Sequence, residues 1–269
     1  MKALFLGNSH TYFNDLAQIF KMLAEAGGKG PVEVGMLSQP GVPFGWHLSQ
    51  EVELRYELMF GDYDYIVIQQ GAHRPFPPAE DTLKHGKTII EKARACGTEP
   101  ILCMTWAEKR APEHQQEMYD VLTKLAKDND VAIEPSGYIF EYVNQNRPDI
   151  DLYFYDGEHC SAYGSYLRAC CDYAVIFGES PVGLPAKSMC NALIDTELAE
   201  KTRPILQTPP EGDLDEYIAS DYFQTAEDGM WDTYSMDWDK EHCYVDLDPE
   251  KAKALQELAW EYVQKYSKA

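Results

Sequence analysis

The chain has 269 residues, 45% of them apolar, enough for one full α/β domain with additions or for two small domains. Its formal net charge of −22 argues against nucleic acid and against anionic lipid as partners, because both need clustered Lys and Arg. No window holds the roughly 18 uninterrupted apolar residues of a membrane span, and Met1-Lys2 leads straight into a strand without an apolar leader, so a cytoplasmic location is expected.

The first predicted element is a buried strand, Leu4-Phe5-Leu6, that ends in Gly7-Asn8-Ser9 and feeds a helical pattern over residues 13–27. In that helix Leu16, Ile19, Phe20 and Leu23 share a face, and Gly27-Gly28 stops it. Residues 31–36 alternate as a second strand, followed by the turn-rich loop Ser38-Gln39-Pro40-Gly41-Val42-Pro43. Helical character returns over 47–58. Residues 63–68 then form a strongly buried strand that ends in Gln69-Gln70-Gly71-Ala72-His73-Arg74-Pro75. A long helix runs from the Pro77-Pro78 start to about residue 96. A fourth strand over 100–104 leads to Thr105-Trp106, a helix covers 112–127, and a short fifth strand covers 131–133. Residues 137–146 read as a helix with Ile139, Phe140 and Val143 on one face. Residues 152–155 lead into Asp156-Gly157-Glu158-His159, and a clear helix spans 161–177 with Gly178 as its stop.

Strands alternating with helices at this spacing mean βαβ units with right-handed crossovers. The expected fold is a three-layer α/β/α sandwich on a parallel, flavodoxin-like sheet of about five strands. No dinucleotide or phosphate-loop glycine pattern is present. Residues 1–184 read as this domain and 185–269 as an extension packed on it, partly helical and partly irregular. The extension has a helical stretch carrying Leu193, Ile194 and Leu198, an acidic part rich in Tyr and Trp, and an amphipathic helix over 249–265. Its aromatic content argues against disorder. The Asp pairs 213/215, 237/239 and 246/248 match no EF-hand pattern and read as solvated acids rather than calcium ligands. The seven cysteines are odd in number, and Cys96, Cys103, Cys170 and Cys171 lie in apolar runs without zinc-type spacing. They read as reduced core residues.

Two stretches carry chemistry. Ser9 stands at the carboxyl end of a sheet strand, where open α/β sheets bind ligands, although a serine before a helix is commonly only an N-cap. Asp156-x-x-His159 puts a carboxylate about one turn from an imidazole, so the acid can hold Nδ1–H and leave Nε2 for a serine. Alone, that pair also fits a surface turn. Cys160 reads as a packing residue, Trp106 as a pocket wall or core aromatic, and Arg74 as a carboxylate ligand or an ordinary ion-pair partner. His10 is a candidate pocket wall or support for its neighbours.

Together the two stretches resemble the SGNH (GDSL-type) hydrolases over about residues 1–184. Gly7-Asn8-Ser9 is similar to that family's first block, with Asn in place of the commoner Asp, and Asp156-Gly157-Glu158-His159 is similar to its last. Thr11, Asn14 and Asp15 fit a bacterial branch reading G-N-S-x-T…N-D, and Ser161–Leu167 and Gly178–Gly183 fit it too. The resemblance implies Ser9 as nucleophile, His159 as general base and then acid, and Asp156 as its orienter. It implies an oxyanion hole from the Ser9 N–H, a second-block glycine, best matched by Gly41, and a third-block asparagine. Here that third block departs from pattern, with Gly71-Ala72-His73-Arg74 preceded by Gln69-Gln70. Gln69 is the favoured replacement, with Gln70 and His73 as the other candidates. The expected activity is serine ester hydrolysis through an acyl-enzyme on a small-molecule or carbohydrate ester, carbohydrate O-deacetylation first, with no metal or organic cofactor. The rivals are a catalytically weak module that binds a glycan or protein, and a phosphodiesterase-like metal enzyme.

Overall fold

Leu4 and Leu6 face one way along the first strand and Ala3 and Phe5 the other, yet all four are buried, so this strand must lie between two helical layers. The computed structural model, which describes residues 1–72, 74–190 and 244–268, has that arrangement. Strands β1 (Lys2–Gly7), β2 (Glu33–Ser38), β3 (Tyr65–Ile68), β4 (Glu99–Cys103) and β5 (Ala132–Glu134) form one sheet in the order β2-β1-β3-β4-β5. Every neighbouring pair is parallel. This is the expected flavodoxin-like order, and the direction of chain progression reverses beside β1.

Helices α1 (Ser9–Tyr12) and α2 (Leu16–Ala26) follow β1, and α3 (Phe44–Ser49) and α4 (Glu51–Phe60) follow β2. After β3 comes α5 (Ala79–Ala95), after β4 α6 (Gln115–Asn129), and after β5 α7 (Ser136–Asn146) and α8 (Ala162–Phe177). Phe5, Val67 and Cys103 pack with α2, α7 and α8. Leu6, Ile68 and Leu102 pack with α3, α4, α5 and α6 on the other face. Beyond α8, β6 (Met189–Cys190) pairs antiparallel with β7 (Tyr244–Val245). Helix α9 (Pro249–Tyr266) buries Leu255 and Ala259 in the same core as α8. Among the described residues no helix is long and apolar enough to cross a membrane.

Two predicted helices are divided. The helix expected over 13–27 is interrupted by Asn14 and Asp15, whose φ values of 56° and 50° place both in the left-handed region. The helix expected over 47–58 breaks at Gln50 and begins earlier, at Phe44. Hydrophobic spacing cannot register a one- or two-residue break, because the apolar face continues across it. The predicted stretch with Leu193, Ile194 and Leu198, most of the acidic aromatics and the Asp pairs 213/215 and 237/239 lie outside the described residues. Asp246 and Asp248 serve local structure. Asp246 accepts from the Ser188 N–H at 2.9 Å, and Asp248 caps α9 through the N–H groups of Glu250 and Lys251 at 2.9 and 3.0 Å.

Candidate active site

The turn after β1 is built by Asn8. Its carbonyl starts α1, its Oδ1 accepts from the His10 N–H at 3.0 Å, and its Nδ2 donates to the Val42 carbonyl at 3.3 Å. An aspartate could accept the first bond but not donate the second, which gives the asparagine a physical reason. The Ser38 hydroxyl donates to the Asn8 carbonyl at 2.8 Å, so the loop after β2 is pinned against the turn from two sides. Gly7 is required by close approach rather than by an unusual φ, since a Cβ there would collide with Thr11 Oγ1 and Gln69 Oε1. His47, which sequence reasoning missed, donates from Nε2 to the Gly7 carbonyl at 2.9 Å. Burial pushes its pKa below the ordinary value, outweighing that contact, so at neutral pH it is an uncharged donor. Its only sequence signal was a histidine inside an amphipathic helix, which names no partner.

This turn presents Ser9, 4% exposed, at the carboxyl edge of the sheet. The segment 153–160 folds over it as a tight reversal. Tyr153 bridges Cys160, the Phe154 N–H donates to the His159 carbonyl at 2.7 Å, and Gly157 takes φ +73° at the tip. Asp156 Oδ1 accepts from the N–H groups of Glu158 and His159 at 2.9 and 3.0 Å, and its Oδ2 lies 2.6 Å from His159 Nδ1. Partial burial pushes the Asp156 carboxyl up, but the His159 contact and the two backbone donors outweigh it and hold it below its ordinary value. An ionised Asp156 requires Nδ1 to carry the proton, leaving the Nε2 lone pair toward Ser9 Oγ at 2.7 Å. The structure therefore brings Ser9, His159 and Asp156 into one hydrogen-bonded line across 150 residues of chain.

Three neighbours hold that line. Phe13 stacks on the His159 imidazole at 4.1 Å and 8°. Asn14 donates to the Cys160 and Ser161 carbonyls at 3.0 and 3.1 Å and to Ser165 Oγ at 2.8 Å. Trp106 donates from its indole to the Glu158 carbonyl at 2.9 Å.

The two glutamines are not placed as expected. Gln69 is not turned into the crevice. Its Oε1 accepts from the Asn8 N–H at 3.0 Å and from Thr11 Oγ1 at 2.9 Å, and its Nε2 donates to the Gln70 carbonyl. A backbone N–H can only donate, so the atom facing Asn8 must be the amide oxygen, which fixes the orientation. Gln70 is likewise committed, accepting from the Phe44 and Gly71 N–H groups at 2.8 and 3.0 Å and donating to Thr82 at 2.9 Å. Both amides tie loops to the sheet. Trp106 is fully buried, stacked on Phe140 at 4.2 Å, and therefore lines core rather than a substrate pocket. Arg74 grips Glu108 with two bonds of 3.2 and 3.0 Å. Burial pushes the Cys160 thiol up to about 12, so it is no nucleophile. Gly41 sits exposed in the loop pinned to Asn8, at φ +67°. His73 lies outside the described residues.

His10 packs between Trp106 and His159, with ring centroids at 4.8 and 5.3 Å. His10, Glu158 and His159 each bring one ligand-type atom within 4.8 Å of the others. A cation there would have to compete for His159, whose two nitrogens already face Asp156 and Ser9.

No family model matches the sequence, and no curated protein does. Solved structures do. A protein described as an SGNH hydrolase from Slackia heliotrinireducens is 24% identical, with a TM-score of 0.54, over 63% of this chain and 95% of that one. A lipase/acylhydrolase from Enterococcus faecalis is 18% identical, with a TM-score of 0.55, over 66% of this chain and 96% of that one. An acetyl xylan esterase is 16% identical, with a TM-score of 0.52, over 63% and 96%. With the β2-β1-β3-β4-β5 sheet and the strand-end site between β1 and the 153–160 loop, the chain has the fold of the SGNH (GDSL-type) hydrolases.

Proposed function

We propose that this chain is a serine ester hydrolase that works through an acyl-enzyme, and that its substrates are O-acetylated carbohydrates. The observation that carries the reading is the line Ser9 Oγ, His159 Nε2, His159 Nδ1, Asp156 Oδ2, with spacings of 2.7 and 2.6 Å at its two bonds. In the forward step Ser9 Oγ bonds to the ester carbonyl carbon, its proton passes to His159 Nε2, and the carbonyl π pair moves onto oxygen. Collapse expels the alcohol, which takes the proton from His159. Water then repeats the sequence and releases the acid. Asp156 stays ionised and stabilises the imidazolium formed in each half. The acetyl-sugar assignment draws support from the fold shared with an acetyl xylan esterase.

The rival, a binding module with little turnover, is favoured by one observation: neither third-block glutamine amide is turned toward Ser9. One experiment separates the two. A fluorophosphonate should label the protein stoichiometrically at Ser9, Ser9→Ala should abolish labelling, and His159→Ala should slow it at least about a hundredfold. Acetate release from a panel of acetylated sugars tests the substrate class. An unlabelled protein that releases no acetate is the binding module.

A further inference from the structure

With both glutamine amides committed to other partners, neither is turned toward Ser9. Across β1 from them, the carboxyl end of β2 and helices α3 and α4 line a cavity of about 150 Å³. Trp46 brings an aromatic ring to it, and Gln39, Gln50 and Glu53 bring polar groups. Two further lining residues are bonded to the turn that presents the nucleophile. The Ser38 hydroxyl donates to the Asn8 carbonyl at 2.8 Å, and His47 Nε2 donates to the Gly7 carbonyl at 2.9 Å. The His47 ring meets Trp46 edge to face at 5.3 Å and 88°, which ties the indole to the same turn. Trp46 is half-buried, whereas Gln39, Gln50 and Glu53 are exposed.

This mixture selects a ligand class. Among the described residues of the lining there is no Lys or Arg, so a phosphate or carboxylate would meet Glu53 without a counter-charge. An acyl chain would strip water from three polar side chains and give nothing back. A sugar ring answers both kinds of group: its hydroxyls pair with the amides of Gln39 and Gln50 and the carboxylate of Glu53, and its C–H face lies on the indole. We propose that the cavity is a sugar subsite, with Trp46 as its platform, and that it makes the enzyme prefer an acetylated oligosaccharide to a single sugar. The assignment rests on the esterase reading above. The ring that carries the acetyl group has to reach Ser9 Oγ, which faces His159 on the side of the sheet where α2 and α8 pack. Helices α3 and α4 pack on the opposite side. The cavity therefore seats the next ring along the saccharide and not the acetylated one.

The test is acetate release from O-acetylated xylotriose, cellotriose and mannotriose, each beside its O-acetylated monosaccharide, with p-nitrophenyl acetate as a substrate that has no sugar. In the parent, kcat/KM for at least one trisaccharide should exceed that for its monosaccharide about tenfold, the size of one aromatic platform. Trp46→Ala should remove that preference through KM and not kcat, because a contact remote from the carbonyl holds ground and transition states alike. Gln50→Ala, at an exposed position, should reduce it about threefold, and it decides the matter should Trp46→Ala fail to fold. A parent that hydrolyses acetylated sugars with no trisaccharide preference overturns the subsite and leaves the esterase reading intact, and so does a preference that both variants keep. A Trp46→Ala loss shared equally by p-nitrophenyl acetate also overturns it, since that is damage to the catalytic turn. A parent that hydrolyses p-nitrophenyl acetate and no sugar overturns the subsite and the sugar assignment together. A parent that hydrolyses nothing and takes no fluorophosphonate label overturns the esterase reading as well.

Discussion

A carboxylic acid buried beside a second one holds its proton, and Asp172 and Glu134 are such a pair beneath the candidate site. Both are fully buried, and the Arg168 charge acts on each. Arg168 donates from Nη1 to the His10 carbonyl at 2.8 Å and lies over Trp106 at 5.9 Å. Burial first, and then repulsion from Glu134, pushes Asp172 well above its ordinary value of 3.8, against the pull of Arg168. An acid whose folded pKa is raised binds more protons folded than unfolded, so stability falls as pH rises above the unfolded value. Asp172→Asn removes that dependence. In urea unfolding across a pH series, the variant should lose less stability than the parent as pH rises above about 4. An identical slope in the two proteins would show that Asp172 is ionised when folded. Asp156 has the opposite sign: its folded pKa is lowered, so its contribution is present above the unfolded value and fades as pH falls through the folded one. None of these three buried partners was singled out from sequence, because a charged residue inside an apolar strand or helix looks the same whether or not a counter-charge waits for it.

Helix α8 sets the spacing between the two halves of the site. It begins immediately after His159-Cys160-Ser161, and Ser165 and Arg168 reach from it to the segment that carries Ser9. Asn14 completes the connection from the other side, and its left-handed φ of 56° is what aims its amide at Cys160, Ser161 and Ser165. Asn tolerates that conformation better than most residues. Asn14→Ala should therefore lose about 1–3 kcal/mol of stability from unpaired buried groups, and kcat should drop about tenfold as the Ser9–His159 distance loosens. Asn14→Gly relieves the backbone without restoring the bonds. It should recover part of the Tm and none of the kcat, and recovery of kcat would assign the effect to backbone strain instead.

At the scale of the molecule, the site lies at the carboxyl edge of β1, between β2 and β3, where the chain's progress across the sheet reverses and a crevice opens between diverging connections. The two helical layers below carry stability rather than chemistry. Helix α9 belongs to the same core as α8, not to a separate unit, because Leu255 and Ala259 are fully buried in that cluster. Leu255→Ala should cost about 2–5 kcal/mol and lower the Tm. At temperatures where the variant is folded, ester turnover should match the parent. A fall in kcat in the folded variant would tie α9 to the site itself.

The alternation of strand and helix, the parallel sheet and the edge on which strand ends meet were legible from local pattern, because apolar periodicity and turn residues act within a few residues. Asp156 and His159 could be paired on paper for the same reason, being one turn apart, and the family resemblance joined them to Ser9. Tertiary structure alone decided which way side chains turn once their neighbours arrive. Gln69 faces Asn8 instead of the crevice because a buried N–H demanded an acceptor. Spacing along a chain constrains distance only over short stretches, whereas the partner of a buried polar group is chosen from everything the fold brings near it.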